Sequence, residues 1–316
     1  MKKYLWAVIY GVILLCFTLY CVLDTFVIER VYMTVPDAPA TVTVTVSVTE
    51  SETRSTDTDS EIAETEEPTE APVISTDDFY SDGNITVSVT EYEYLGTSVY
   101  VADVKLSSAE YLKTAFAKNA YGRNVTEKTS AAASRVGAIL AINGDYYGAQ
   151  ERGFVIRNGV IYRKTAKSNT DALVIYEDGS FEIVSESSTS AEALLSAGAY
   201  NVFSFGPGLI TDGEISVSVR SEVGQAMASN PRTAIGIIDD LHYIFVVSDG
   251  RTKLSEGLSL YELAQFMQQL GAKCAYNLDG GGSSTMVFNG KVINTPTTNG
   301  RTVSERSVSD IVYIGY

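Results

Sequence analysis

The chain has 316 residues, 45% of them hydrophobic, and a formal net charge of −16. That length holds one large domain or two small ones at roughly 100–200 residues each. The acidic balance argues against a nucleic-acid partner, whose phosphates need Lys and Arg to release counterions. Three cysteines (Cys16, Cys21 and Cys274) and one histidine (His242) exclude a disulfide framework, a cysteine-based zinc site and a His-rich metal centre.

Residues Tyr4 to Leu23 carry no charge, follow Lys2 and Lys3, and precede Asp24. About 20 apolar residues in a helix match the thickness of a bilayer core. The preceding lysines put the N-terminus in the cytoplasm by the positive-inside rule. Residues 1–30 therefore read as a cytoplasmic tip and a single-pass signal anchor in the plasma membrane. A cleaved signal peptide is the alternative, and both readings export the rest of the chain. Residues 31–78 follow as an acidic Ser/Thr/Glu/Pro linker. From Pro36 to Asp78 there are twelve acidic residues and one basic residue, Arg54. Such a composition buries too little apolar surface to order itself and predicts an extended spacer that lifts the domain off the membrane.

Residues 79–316 read as one domain. NITVSVTEYEYLGTSVYVADVKL alternates apolar and polar residues, which predicts two antiparallel strands. SSAEYLKTAFAKN has a capping serine and helical apolar spacing, so a helix is expected there. EKTSAAASRVGA is a second helix, leading into the strand AILAIN. GFVIRNGVIYR and DALVIYEDGSFEIV are hairpins, the first with an Asn-Gly turn. AEALLSAGA is a short helix and AIGIIDDLHYIFVV another hairpin. SLYELAQFMQQLGA is a helix with Ser259 as its cap, Glu262 completing a capping box and Gly271 ending it. Its apolar face, Leu260, Leu263, Phe266, Met267 and Leu270, is core packing. CAYNL and TMVFNGKVIN are strands around a glycine loop, and SDIVYIGY is the last strand. The fold class is α+β: mixed, mostly antiparallel sheet built from hairpins with a few packed helices, preceded by one transmembrane helix and a disordered linker.

Polar segments at strand ends are where a rigid scaffold carries function. INGDYYG brings Asn143 and Asp145 with two tyrosines, which hydrogen-bond and stack on sugar rings. NPRTAIG holds Arg232 behind a proline, a guanidinium suited to clamping a phosphate. SDGRT contributes Asp249 and Arg251. NLDGGGSSTM is the most specific segment. It offers Asn277, the carboxylate of Asp279, the backbone of Gly280, Gly281 and Gly282, and the hydroxyls of Ser283 and Ser284. Three glycines between strands suit close approach of an anion to backbone N–H groups. The segment lacks the Gly-Lys-Ser/Thr ending of a nucleotide P-loop. SERSVSD adds Glu305 and Arg306 before the last strand. His242 reads as a strand-surface residue, and no G-x-S-x-G elbow is present, so a Ser-His-Asp hydrolase is disfavoured.

In this order, AINGDYYG, FSFGPGLITDG, NPRTAIGI, VVSDGRT, GLSLYELAQFMQQLGA, NLDGGGSSTMV and ERSVSD resemble the phosphodiester glycosidase family, the family of the lysosomal uncovering enzyme. The similarity runs from about Phe79 to Tyr316. It implies hydrolysis of a glycosyl-1-phosphodiester to a free sugar and a phosphomonoester, in cell-wall or exopolysaccharide metabolism. The chain departs from the family where Gly144-Asp145-Tyr146 replaces a common Gly-Gly-Phe.

Glycoside cleavage generally uses two carboxylates. Asp279 is expected as the principal acid/base or nucleophile, with Asp145, Asp249 or Glu305 as its partner. Arg232, Arg251, Arg306 and the Gly280–Gly282 backbone would bind phosphate, while Asn143, Asn277, Ser283, Ser284 and the tyrosines would hold substrate. No metal ligand set and no required cofactor are expected. Ca²⁺ or Mg²⁺ on oxygen ligands belongs to a competing reading, a divalent-metal phosphodiesterase. A non-catalytic glycan-binding module on a stalk is the other. The expected partners are a phosphate-linked glycan and, through the N-terminal helix, a membrane.

Overall fold

The computed structural model describes residues 4–35, 73–221 and 229–316. It is a mixed α+β fold with mostly antiparallel sheets, preceded by one apolar helix, α1 (Leu5–Phe26), none of whose residues is buried. At 1.5 Å per residue its 22 residues reach about 33 Å, long and apolar enough to cross a membrane.

β2 (Ile74–Ser75), β3 (Phe79–Ser81), β4 (Ile85–Glu93) and β5 (Ser98–Leu106) form an antiparallel meander, with the β4–β5 hairpin that the alternation predicts. β14 (Gly208–Thr211), β15 (Glu214–Ile215), β16 (Arg232–Asp239), β17 (His242–Ser248) and β18 (Cys274–Asn277) extend it to nine strands in the order β15-β14-β18-β16-β17-β5-β4-β3-β2. A five-stranded sheet, β20-β19-β8-β21-β6, contains β6 (Leu112–Phe116), β8 (Leu140–Asn143), β19 (Met286–Phe288), β20 (Lys291–Val292) and β21 (Asp310–Ile314). A second five-stranded sheet, β10-β9-β13-β11-β12, contains β9 (Val155–Arg157), β10 (Val160–Arg163), β11 (Asp171–Tyr176), β12 (Phe181–Ser185) and β13 (Ala199–Phe203).

Side chains alternate across a strand, so each strand serves two layers. In the nine-stranded sheet Ile235, Phe245 and Val247 point into the main core. There they meet Leu140, Ile142 and Val312 of one small sheet and Leu173, Ile175 and Phe203 of the other. Their neighbours Ala234, Ile244 and Val246 point the opposite way, onto α4 (Leu260–Gln269). This helix buries Leu260, Leu263, Ala264, Phe266 and Met267. Its capping box between Ser259 and Glu262 is formed, and Gly271 follows with φ +89°. α2 (Thr129–Arg135) covers the outer face of the first small sheet, and α3 (Ala191–Ser196) that of the second. The order of layers is helix, large sheet, paired small sheets, helices.

Two expectations change. The helix expected at SSAEYLKTAFAKN is a short turn, Ala109–Tyr111, followed by β6. Ser108 does cap that turn, accepting from the Glu110 N–H. Beyond it Leu112, Thr114 and Phe116 are buried in alternation, and pairing with β21 outweighs the helical spacing. The linker expected from residue 31 begins later. β1 (Arg30–Thr34) pairs antiparallel with β7 (Ala120–Arg123), and Val35 packs beside Phe116, Tyr121 and Tyr147. Residues 36–72, the bulk of that linker, lie outside the described residues.

Candidate functional site

Leu278 to Thr285 is the crossover between sheets: β18 of the nine-stranded sheet ends at Asn277, and β19 of a five-stranded sheet starts at Met286. Around this crossover lie the C-terminal ends of β8 and β17 and the N-terminal end of β16. Asn143 ties the junction together. Its Nδ2 donates to the Asp279 carbonyl (2.6 Å), and its Oδ1 accepts from Thr233 Oγ1 (2.8 Å) and Thr285 N (3.2 Å). Asn143 is wholly buried. It is therefore a brace, in place of the sugar contact expected for it.

Asp279 opens the crossover with its side chain almost buried. Arg306 Nη2 donates to its Oδ2 (3.1 Å), and Arg306 also reaches Ser283 Oγ (2.9 Å) and the Gly280 carbonyl (3.2 Å). Burial pushes the Asp279 carboxyl up, and the Arg306 charge and the Ser283 hydroxyl hold part of that rise back. Arg251 stands on the other side of the glycines. Its Nε and Nη2 donate to Asn230 Oδ1 (3.1 and 3.0 Å) and its Nη1 to the Thr298 carbonyl (2.7 Å). Burial and the nearby Arg306 charge lower the Arg251 pKa. Gly281 explains the glycine run best. Its φ is +63°, and a Cβ there would lie 2.8 Å from Arg251 Nη2.

The expected nest of free amides is reduced: of the three glycines, Gly281 spends its N–H on a backbone carbonyl, while the Gly280 N–H faces the Asp279 carboxyl. The N–H groups of Gly281, Ser283 and Ser284 donate to the carbonyls of Pro231, Gly280 and Gly281. Positive charge at the crossover comes from Arg251 and Arg306. Arg232 is 3% exposed, donates through Nε to the Leu258 carbonyl (2.8 Å), and lies under Gly280. Asn277 donates to the Gly206 carbonyl (2.8 Å). Its Oδ1, with Ser284 Oγ and Thr285 Oγ1, is buried without a partner. Buried polar atoms left unpaired beside a loop mark places for ordered water or a polar ligand.

The four candidate carboxylates separate. Asp249 stays near the crossover. Its Oδ1 accepts from Thr295 N (2.8 Å) and Asn294 Nδ2 (3.2 Å), and Asn294 also donates to the Ser284 carbonyl. Burial raises the Asp249 carboxyl against those hydrogen bonds. Glu305 turns away and accepts from Ser130 N (2.9 Å) and Oγ (2.6 Å) in the first turn of α2, which makes it a helix-end anchor. Asp145 faces the protein interior. It accepts from Tyr147 N and Ser204 N and pairs with the fully buried Arg157 (3.2 Å). Arg157 pairs in turn with Asp310 (2.6 Å) and stacks over Phe203. Burial and the Asp145 charge raise the Asp310 carboxyl to about 7, with Arg157 opposing. Tyr147 is buried against Tyr121, and Tyr146 is exposed. His242 sits at the far end of β17 from Ser248 and bonds Asp103 (2.9 Å) on the sheet surface, as expected.

Asn230, Asn294, Thr298, Arg157 and Asp310 were not anticipated as part of this architecture. Asn230 had a signal, since NPRT places it beside Arg232. Among the described residues, no three His, Cys, Asp or Glu side chains gather into a metal-binding group.

Residues 136–315 match the family model described as phosphodiester glycosidase. YomE, an uncharacterised SPbeta prophage-derived protein of Bacillus subtilis, is 28% identical over 262 residues, covering 77% of this chain and 40% of that protein. Mouse N-acetylglucosamine-1-phosphodiester alpha-N-acetylglucosaminidase is 42% identical over 66 residues, 21% of this chain and 13% of the mouse protein. The chain thus spans less than half the length of either relative. Among solved structures, the pro-peptide-inhibited catalytic domain of the zebrafish N-acetylglucosamine-1-phosphodiester alpha-N-acetylglucosaminidase aligns with a TM-score of 0.58 and 21% identity, covering 73% of this chain and 83% of that one. A hypothetical protein from Synechocystis aligns at 0.51 and 17% identity, covering 73% and 62%. These likenesses establish the fold. With the family match over more than half its length, the chain belongs to the phosphodiester glycosidase family.

Proposed function

We propose that the chain hydrolyses a sugar-1-phosphodiester. The observation that carries this reading is one buried carboxylate, Asp279, on a glycine crossover flanked by two guanidiniums, Arg306 and Arg251. An anionic phosphodiester fits between the arginines, whose guanidiniums take up its charge through paired hydrogen bonds. The sugar C1–O bond breaks, water adds to C1, and the phosphate leaves as a monoester anion. A phosphate needs little protonation to leave, so the main demand is a carboxylate near the oxocarbenium-like carbon. Asp279 fills that role, as nucleophile or acid/base, and Asp249, tied to the crossover through Asn294, is the second carboxylate candidate. Asn277, Ser283 and Ser284 are the proposed contacts for sugar hydroxyls, and the unpartnered Asn277 Oδ1 and Ser284 Oγ support that reading. The apolar α1 helix supports a single-pass anchor with the domain outside the plasma membrane, where a wall or exopolysaccharide glycan is the substrate class.

The test is full-length protein in detergent with a synthetic N-acetylglucosamine-1-phosphodiester in oxygen-18 water, with and without EDTA. Free sugar carrying the label, insensitive to EDTA, is expected. Label in the phosphate means P–O cleavage and overturns the assignment. Asp279→Asn should lower the rate by about 100-fold or more, the scale of a lost acid/base group.

A further inference from the structure

We infer that a cavity between β1 and the domain is a second anion site, separate from the Asp279 crossover, and that it takes a phosphate group. The cavity has a volume of about 270 Å³ and is lined by Tyr32, Tyr121, Arg123, Tyr147, Gln150 and Arg163, among others. None of these residues belongs to the crossover. The volume lies just under the range of roughly 300 Å³ and above typical of small-ligand pockets, so it suits a phosphate monoester or one headgroup, not a polymer.

Arg163 is the reason for an anion. Its Nε donates to the Gly153 carbonyl (2.6 Å), and its Nη1 to those of Tyr147 (3.0 Å) and Gln150 (2.5 Å). Its Nη2 is buried with no hydrogen-bond partner, and among the described residues no carboxylate pairs with it. A guanidinium held by neutral carbonyls, with a buried donor unsatisfied, lacks a counter-charge. The Tyr147 hydroxyl, also buried, is approached by the Gly122 N–H but makes no hydrogen bond of ordinary geometry. Tyr147 itself is 1% exposed. A second cation lies on the wall: Arg123 meets Glu151 at 3.4 Å, and the Glu151 side chain is 82% exposed. Such a pair is weak and screened, so Arg123 is free to turn to a better anion. Tyr32, 62% exposed on β1, closes one side with its ring 6.0 Å from that of Tyr121. A phosphate offers several acceptors to two guanidiniums and a phenol, whereas a neutral sugar leaves the Arg163 charge uncompensated.

Two sources supply this chemistry. β1 begins four residues after α1 ends, so with α1 in a bilayer a lipid headgroup is at hand. A soluble phosphate ester, including the product of the proposed reaction, is the other.

The experiment is calorimetric titration of inorganic phosphate into the full chain in dodecyl maltoside micelles, on an Arg306→Ala background that weakens the crossover site. One bound phosphate is expected. Arg163→Gln should weaken it about tenfold or more, as loss of a charge-assisted hydrogen bond does. Arg163 also holds three carbonyls, so Arg123→Gln and Tyr32→Ala, both outside the core, provide folded variants and should weaken it several-fold. No phosphate bound on the Arg306→Ala background, or binding unchanged in Arg123→Gln and Arg163→Gln alike, overturns the site. Repeating the titration in phosphatidylglycerol nanodiscs separates the sources. Loss of free-phosphate binding there assigns the pocket to lipid phosphate, and retention assigns it to soluble esters. Sugar release by Arg123→Gln alone should match the unsubstituted chain, so failure of this pocket and failure of the glycosidase reading are read independently.

Discussion

Burial raises the Asp279 carboxyl and Arg306 pulls it back, so the two residues together set the ionisation on which the proposed reaction depends. Removing the arginine leaves burial unopposed. In Arg306→Ala the limb of the kcat profile set by Asp279 should therefore move to higher pH, beyond the rise in KM caused by weaker phosphate binding. A pH–rate series on both proteins checks this. The Arg157 cluster behaves differently. Its two carboxylates share one guanidinium, and Asp310 lies well above its ordinary value near 3.9. A carboxyl raised on folding contributes stability below its unfolded pKa and loses it as pH rises through the folded one. Glu186 and Asp249, both raised by burial, act in the same direction. Folding stability should thus decline between about pH 4 and pH 8. Asp310→Asn imitates the protonated state and should flatten that decline while Arg157 keeps Asp145. Urea unfolding at pH 5 and pH 8 measures the difference.

At the level of elements, turns and caps were legible because they are local. Asn158-Gly159 and Asn289-Gly290 both take positive φ in tight hairpins, and the Ser259–Glu262 capping box is where its spacing put it. The apolar stripe of α4 was equally plain. Leu263→Ala should cost about 2–5 kcal/mol of stability, measured by thermal or denaturant unfolding, because a wholly buried side chain leaves a cavity against Ile244 and Val246. Elements whose state depends on a distant partner were not legible. Leu112–Phe116 is a strand because β21, almost two hundred residues later, pairs with it. Arg157 gave no signal either. Val155, Ile156 and Arg157 are all buried, so alternation fails there, and Asp310 is 153 residues away. The site divided the same way. Asp279, Arg251 and Arg306 stood in recognisable segments and converge. Glu305 sits in such a segment too, yet its side chain serves α2.

For the whole molecule, the layers explain where the site lies. A chain moving from the large sheet to a small one must cross the edge of the main core, and Leu278–Thr285 makes that crossing. The crossover joins two sheets that pack on each other, so residues from β8, β16, β17 and β18 reach it without long loops. The ends of β18 and β17 hold Asp279 and Arg251 in place, and Arg306 reaches them from the segment before β21, pinned by Ser283 and the Gly280 carbonyl.

The β1–β7 pairing changes how reach should be reckoned. Only Val27, Ile28 and Glu29 separate α1 from β1, about 10 Å of extended chain. The acidic stretch begins after β1 and returns at β2, so both of its ends are fastened to the same body. With α1 in a bilayer, the leash between membrane and catalyst is those three residues, however long the acidic stretch is. On the proposed reading the domain is a tool bolted to the floor: it reaches only those phosphodiester ends that come down to the headgroups.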